Sequence, residues 1–279
     1  LGVGTNQNYL MAGWANASHL IIIDFDQVIV HVHDAYRAFF LQAETPDDLL
    51  DFWRPRSKYR RAAYQVLKDT YEKRGRRAAA RNAVRKFGHR VYLGLKESIK
   101  HTQKLGVPSF LTDQAQFEHI KKLYQENRIF VIRGDFTARR TLNGISEMLD
   151  ELEMPLSVLY LSNVEQYIGW NRAFRRNMER LPVRDDGFVL RTYGWGKHRT
   201  ADHNYRYYVQ SGAAFKEWIG SKKRYVGGFL KSEEKTEIVG YHEMTKGPEG
   251  DRFELASAAS SGAQGEDGSE GRVDDNAGD

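Results

Sequence analysis

Cysteine is absent from all 279 residues. That excludes a disulfide scaffold, a thiolate metal site and a cysteine nucleophile together. Long apolar runs are also missing. The strongest, Leu20-Ile21-Ile22-Ile23, stops at Asp24, far short of the roughly 18 residues of a membrane span. No signal-peptide pattern is visible, and the first residue, Leu1, reads as trimmed. The expectation is a cytoplasmic protein without a transmembrane segment, with the periplasm left open. No internal repeat of 20–50 residues is evident. A P-loop and a G-x-S-x-G elbow are absent as well. Hydrophobic residues make up 41% and charged residues 28%, which suits a packed core and excludes wholesale disorder.

Charge is present in excess but unevenly placed. The chain carries +5 overall, while the segment from Gly247 holds nine acids and two arginines, net −7, leaving +12 for residues 1–246. This Gly/Ala/Ser-rich tail, 246–279, has too little apolar content to offset the entropy of ordering and is expected to be disordered. Between Arg54 and Arg90, fourteen Lys/Arg face only Asp69 and Glu72. Such a run is either the solvated side of amphipathic helices, with Tyr64, Leu67 and Tyr71 as their apolar stripe, or a surface for a polyanion.

Short apolar strands alternate with helical patterns. Leu1–Val3 enters a Gly-rich loop, Leu20–Phe25 is the second strand, Ile129–Arg133 the third and Leu156–Leu161 the fourth. Gly187–Thr192 and Tyr205–Gln210 are later strands expected to pair as an antiparallel edge. One helix is expected from Val164 to about Asn177. The reading is an α/β, Rossmann-like, doubly wound and mostly parallel sheet over 1–245, with a basic helical insertion at about 46–105 after strand two.

In such sheets ligands bind at the carboxyl ends of the strands. Gly2 and Gly4 permit close backbone approach, and the helix after them offers free N–H groups. Gln7 stands where a dinucleotide fingerprint needs its third glycine. Asp24 ends strand two and suits ribose hydroxyls, with Asp26 as a competitor; each could instead cap a helix. Asp135 and Phe136 after strand three suit an adenine amine and ring face, or an N-cap and a core phenylalanine. Ser162, Asn163, Glu165 and Tyr167 after strand four could face a substrate or simply begin a helix. His31 and His33 lack the spacing of a metal pair on a helix, and no metal site is expected. The Tyr193–Tyr208 region, with His198 and His203, could stack a planar group or bury against the sheet.

Leu-Gly-Val-Gly-x-x-Gln-Asn, the Asp-ended second strand, Gly-Asp-Phe and Tyr-x-Ser-Asn-Val-Glu-Gln-Tyr together resemble a bacterial family similar to class I S-adenosylmethionine-dependent methyltransferases. The resemblance covers about residues 1–220, and Ser162–Tyr167 is its most distinctive part. It implies S-adenosylmethionine as cofactor. It places Gly2, Gly4, Gln7 and Asn8 at the cofactor loop, Asp24 at the ribose, and Asp135 with Phe136 at the adenine. Ser162 is expected beside the cofactor, and Asn163, Glu165 and Tyr167 on the catalytic side. The methyl acceptor stays open. The third glycine of the usual loop and an Asn/Asp-Pro-Pro-Tyr motif are missing. The alternative is a non-catalytic module of the same fold that binds a polyanion through residues 54–90.

Overall fold

In a computed structural model of the chain, residues 1–193, 206–221, 233–235, 241–245, 247–249 and 252 are described. The expected tail, 246–279, therefore lies almost wholly outside the described residues, as do Tyr205, His198 and His203.

The first half of the chain alternates as expected. Strand β1 (Gly2–Val3) leads into helix α1 (Gln7–Trp14), and β2 (Leu20–Asp24) into α2 (Gln27–Gln42). Four further helices precede the next strand: α3 (Pro46–Trp53), α4 (Ser57–Thr70), α5 (Arg74–Lys104) and α6 (Gln114–Gln125). Then come β3 (Ile129–Arg133), α7 (Arg139–Glu151), β4 (Leu156–Ser162), α8 (Val164–Ile168), α9 (Arg172–Arg180), β5 (Val183–Tyr193), β6 (Arg206–Ser211), α10 (Gly212–Gly220), β7 (Glu233–Lys235) and β8 (Tyr241–Met244).

The strands form one eight-stranded sheet of order β3-β2-β1-β4-β5-β6-β8-β7. The pairings from β3 through β5 are all parallel; β5 with β6 and β7 with β8 are antiparallel. From β3 the chain crosses back past β1 to begin β4, so the winding reverses between β1 and β4. The continuous apolar run of β2 has a simple cause. Leu20 and Ile22 bury among the helices α1 to α6, whereas Ile21 and Ile23 bury on the opposite face with α7, α9 and α10. A strand covered on both sides cannot alternate apolar with polar.

Local chemistry sets the helix ends. Thr45 and Asp48 form a reciprocal capping box with Pro46 at the first turn of α3. Asp113 caps α6 by accepting from Gln116 N. Tyr71 and Leu67 bury as the inner stripe of the basic helices, with Tyr64 partly covered.

Two expectations need correction. The single helix after β4 is broken into α8 and α9, because Gly169 takes φ +59° and Asn171 then starts α9 by accepting from Ala173 N and Phe174 N. Strand β6 does pair antiparallel with β5, but it is not the edge: β8 pairs with it in parallel and β7 lies beyond. The short, charged runs Glu233–Lys235 and Tyr241–Met244 carry no apolar period that would announce a strand.

The start of α10 presses against β5. A Cβ on Gly212 would fall 1.9 Å from the Arg184 carbonyl oxygen. Backbone cannot yield as a flexible side chain can, so Gly212→Ala should lose about 3 kcal/mol. A shift of the urea midpoint checks this.

Candidate functional site at the carboxyl edge of the sheet

The turn after β1 is held by side chains from three elements. Gly4 has φ +86°, a conformation suited to glycine. Asn8 of α1 donates from Nδ2 to Val3 O at 3.0 Å and to Thr5 O at 3.1 Å. Its side chain fills the place where a Cβ on Gly2 would sit, 2.0 Å away, so Gly2 is needed for fit. Above Gly4 nothing lies within 4 Å of a built Cβ, which leaves room for a group to approach the backbone.

Asp24 lies beside the turn on the neighbouring strand. Its Oδ1 accepts from Asp26 N at 2.9 Å, and the nearby amides of Gly4 and Phe25 favour its charged form. Burial raises its pKa; the neighbouring backbone amides pull the other way. Asp26 caps α2 through Val28 N at 2.8 Å. Between these two acids Phe25 stands 76% exposed.

His33 of α2 holds the turn from below. Its Nε2 lies 2.8 Å from Gly4 O. A carbonyl only accepts, so Nε2 carries the proton and Nδ1 accepts from the Tyr9 hydroxyl at 2.6 Å. The Tyr9 oxygen in turn accepts from Tyr124 OH at 2.6 Å. Burial drives the His33 pKa down to about 4, so the ring is neutral at pH 7. A fourth tie comes from α5: Asn6 donates from Nδ2 to Ser98 Oγ at 3.0 Å.

At the third strand end Asp135 is exposed and accepts from Thr137 N and Thr137 Oγ1 at 2.7 and 2.8 Å. Phe136 lies in the apolar cluster beneath α7 and α9, 4% exposed, so its ring faces the core.

At the fourth, the β4–β5 register shifts between Tyr160 and Ser162, and Ser162 takes φ +47°. A non-glycine residue there is strained by about 1–2 kcal/mol. Asn163 precedes α8 without making a side-chain cap bond. Glu165 is fully buried. Its Oε1 accepts from Trp170 Nε1 at 2.7 Å and its Oε2 from Arg191 Nε at 2.7 Å. Arg191, buried in β5, also donates from Nη1 to Gln210 Oε1 at 2.8 Å and packs over the Phe215 ring. Tyr167 is 68% exposed.

The structure thus brings Gly2, Gly4, Asn8 and Asp24 together, with Ser162 and Asn163 across the switch point. Gln7 begins α1 beside the turn. Asp135 is at the next strand end along, while Phe136 and Glu165 are turned into the interior. Sequence reasoning missed the exposed Phe25, the His33 contact with Gly4 and the Arg191 partner of Glu165. A histidine in an otherwise apolar helical face, Val32-His33-xx-Tyr36, was the available signal for His33.

Two cavities lie elsewhere. One of about 100 Å³ opens at the amino ends of β2 and β4, the wrong end of a doubly wound sheet for its ligand. The other, about 580 Å³ and polar, is lined by His31, Asp34, Arg37, Arg76 and Tyr124 between α2, the start of α5 and β3. Asp34 there accepts from Arg76 at 2.6 Å and lies 2.9 Å from His31. Among the described residues no cluster of three or more His, Asp or Glu is placed to hold a metal ion, and no helix is long and apolar enough to cross a membrane.

The fold and site define a Rossmann-like α/β protein with a glycine turn clamped at its switch point. Residues 1–250 match the model of the family described as Domain of unknown function (DUF7790), and the chain belongs to that family. No curated protein matches the chain.

Two outcomes follow. Glu165→Leu or Arg191→Met alone strands a buried charge and should cost about 3–5 kcal/mol, whereas the double variant should cost clearly less than the sum; urea unfolding of the cycle reads this. For His33, the folded pKa lies below the unfolded value near 6.5, so the unfolded chain binds the extra proton. Stability present above pH 6.5 is lost as pH falls towards 4, by about 3 kcal/mol from this group. His33→Asn should flatten the stability profile across that window.

Proposed function

We propose that the protein is an S-adenosylmethionine-dependent methyltransferase of the class I kind, its helices between residues 46 and 105 being an insertion after strand two. One observation carries the reading: the parallel pairing of β1 with β2 sets the Gly4 turn next to the Asp24 carboxylate at the point where the β3-β2-β1-β4-β5 order reverses. This sets a glycine turn and a strand-two acid side by side at the ligand-binding edge.

The cofactor fits what the residues offer. The open space over Gly4 admits its backbone-hugging chain. Asp24 has accepting capacity left after the Asp26 amide, and Asp26 adds the oxygen its cap bond does not use, for ribose hydroxyls. Asp135 takes the adenine amine. The exposed ring for stacking is Phe25 in this reading, since Phe136 is spent on the core. When bound, the cofactor supplies an electrophilic methyl group. The protein contributes position and exclusion of water, which are the main sources of rate in a bimolecular transfer. Ser162 and Asn163 orient the acceptor across the switch point, and Tyr167 is the exposed polar group on that side. Glu165, with both oxygens engaged, acts through Arg191 to hold the β4–β5 ends.

Calorimetric titration of S-adenosylhomocysteine tests this, with NAD in parallel. Micromolar binding is expected for the wild-type chain, reduced at least about tenfold in Asp24→Asn and in Asp135→Ala, with circular dichroism confirming that both fold. No heat from the wild type, or equal binding of NAD, overturns the reading.

A further inference from the structure

The long helix α5 presents a basic face that its own packing does not explain. Its apolar side, Ala80, Ala83, Val84, Val91 and Leu95, is buried in the helical core. Around the solvent half of the helix, from Arg81 on one flank through Arg85, Lys96, Lys100 and Lys86 to Arg90 on the other, six cations are exposed, with Leu93 exposed among them. At 1.5 Å per residue they span about 28 Å. Glu97 is the acid on that stretch, and it is 3.0 Å from His101. Among the described residues, ion pairs engage Arg54 and Arg76 of the cations between residues 54 and 90, and none of these six. Six uncompensated cations on a rigid rod repel one another, so the arrangement has a cost that an anionic partner would remove.

The shape of the partner follows from the pattern. A single nucleic-acid strand offers about eight phosphates over 28 Å of axis. Arginine matches phosphate through its planar fork, and the Arg81 guanidinium is already oriented by the Tyr64 ring, 4.6 Å away. A lipid surface fits poorly: a helix lying in a membrane needs its apolar side free, and that of α5 is in the core.

We propose that the exposed face of α5 from Arg81 to Lys100 docks a polynucleotide backbone. This docking does not rest on the methyltransferase reading.

The test uses the full chain and a fluorescein-labelled 24-nucleotide single-stranded RNA of mixed sequence, read by anisotropy. With about four phosphates engaged, affinity should fall about 50-fold between 50 and 200 mM KCl. Arg81→Gln/Arg85→Gln/Arg90→Gln should weaken binding at least about tenfold at 50 mM and lower the salt slope by about 2. S-adenosylhomocysteine binding and the melting temperature should be unchanged. Wild-type binding that is absent, or indifferent to the triple substitution, overturns the docking. So does equal binding to poly-L-glutamate of matched charge or to phosphatidylserine vesicles. Absent S-adenosylhomocysteine binding overturns the methyltransferase reading and leaves the docking result standing.

Discussion

Where the peptide groups of Val3, Gly4 and Thr5 find partners decides the geometry of the whole carboxyl edge. A turn that leaves a buried central strand cannot hand its polar groups to a ladder or to water, so side chains must take them. Asn8 takes two carbonyls and His33 the third, while the Gly4 amide acts on the charge of the neighbouring Asp24. These three residues belong to α1, α2 and β2. The turn consequently fixes how both helices sit on the sheet, and the sheet fixes the turn. Replacing any of the three changes more than a local contact.

The same economy explains the unusual burial of charge on the other side of the switch point. Glu165 and Arg191 are both without exposed side-chain surface, 2.7 Å apart. Desolvating two charges makes such a pair a poor source of net stability, but a strong source of specificity once built, because neither partner tolerates loss of the other. Here it ties the first turn of α8 to β5, at the level where β4 breaks register and Ser162 is forced into a left-handed conformation. The strain and the buried pair fall together at the fold's ligand-binding edge, which is where natural proteins tolerate both.

Much of this was legible from residues alone. The unbroken apolar run Leu20–Ile23 announced a strand covered on both faces, and the spacing of Gly2, Gly4 and Asp24 announced two adjacent strand ends. The run Thr45-Pro46-Asp47-Asp48 announced the start of α3, and Thr112 or Asp113 that of α6, where Asp113 is the cap. What was not legible depended on distance in sequence. Phe136 and Glu165 carry the right chemistry for a site, yet their direction is set by α9 and by Arg191, residues 26 or more positions away. Nothing local tells a carboxylate at a helix start whether it will meet solvent or a buried guanidinium. The broken helix at Gly169 was an ambiguity of another kind: glycine inside a helical pattern is tolerated or terminal, and only the positive φ distinguishes them. Strands β7 and β8 take their conformation from the edge offered by β6, so their own sequence carries little of the signal.

The central claim is that the clamped turn and the acid beside it form a cofactor site. Hydrogen exchange followed by mass spectrometry, with and without S-adenosylhomocysteine, tests it most directly, because amide protection reports which backbone the ligand covers. The account predicts slowed exchange in peptides spanning residues 2–9, 24–28 and 134–138, with α4 unchanged. Protection confined to the polar cleft between α2 and α5, or no protection at all, would contradict it.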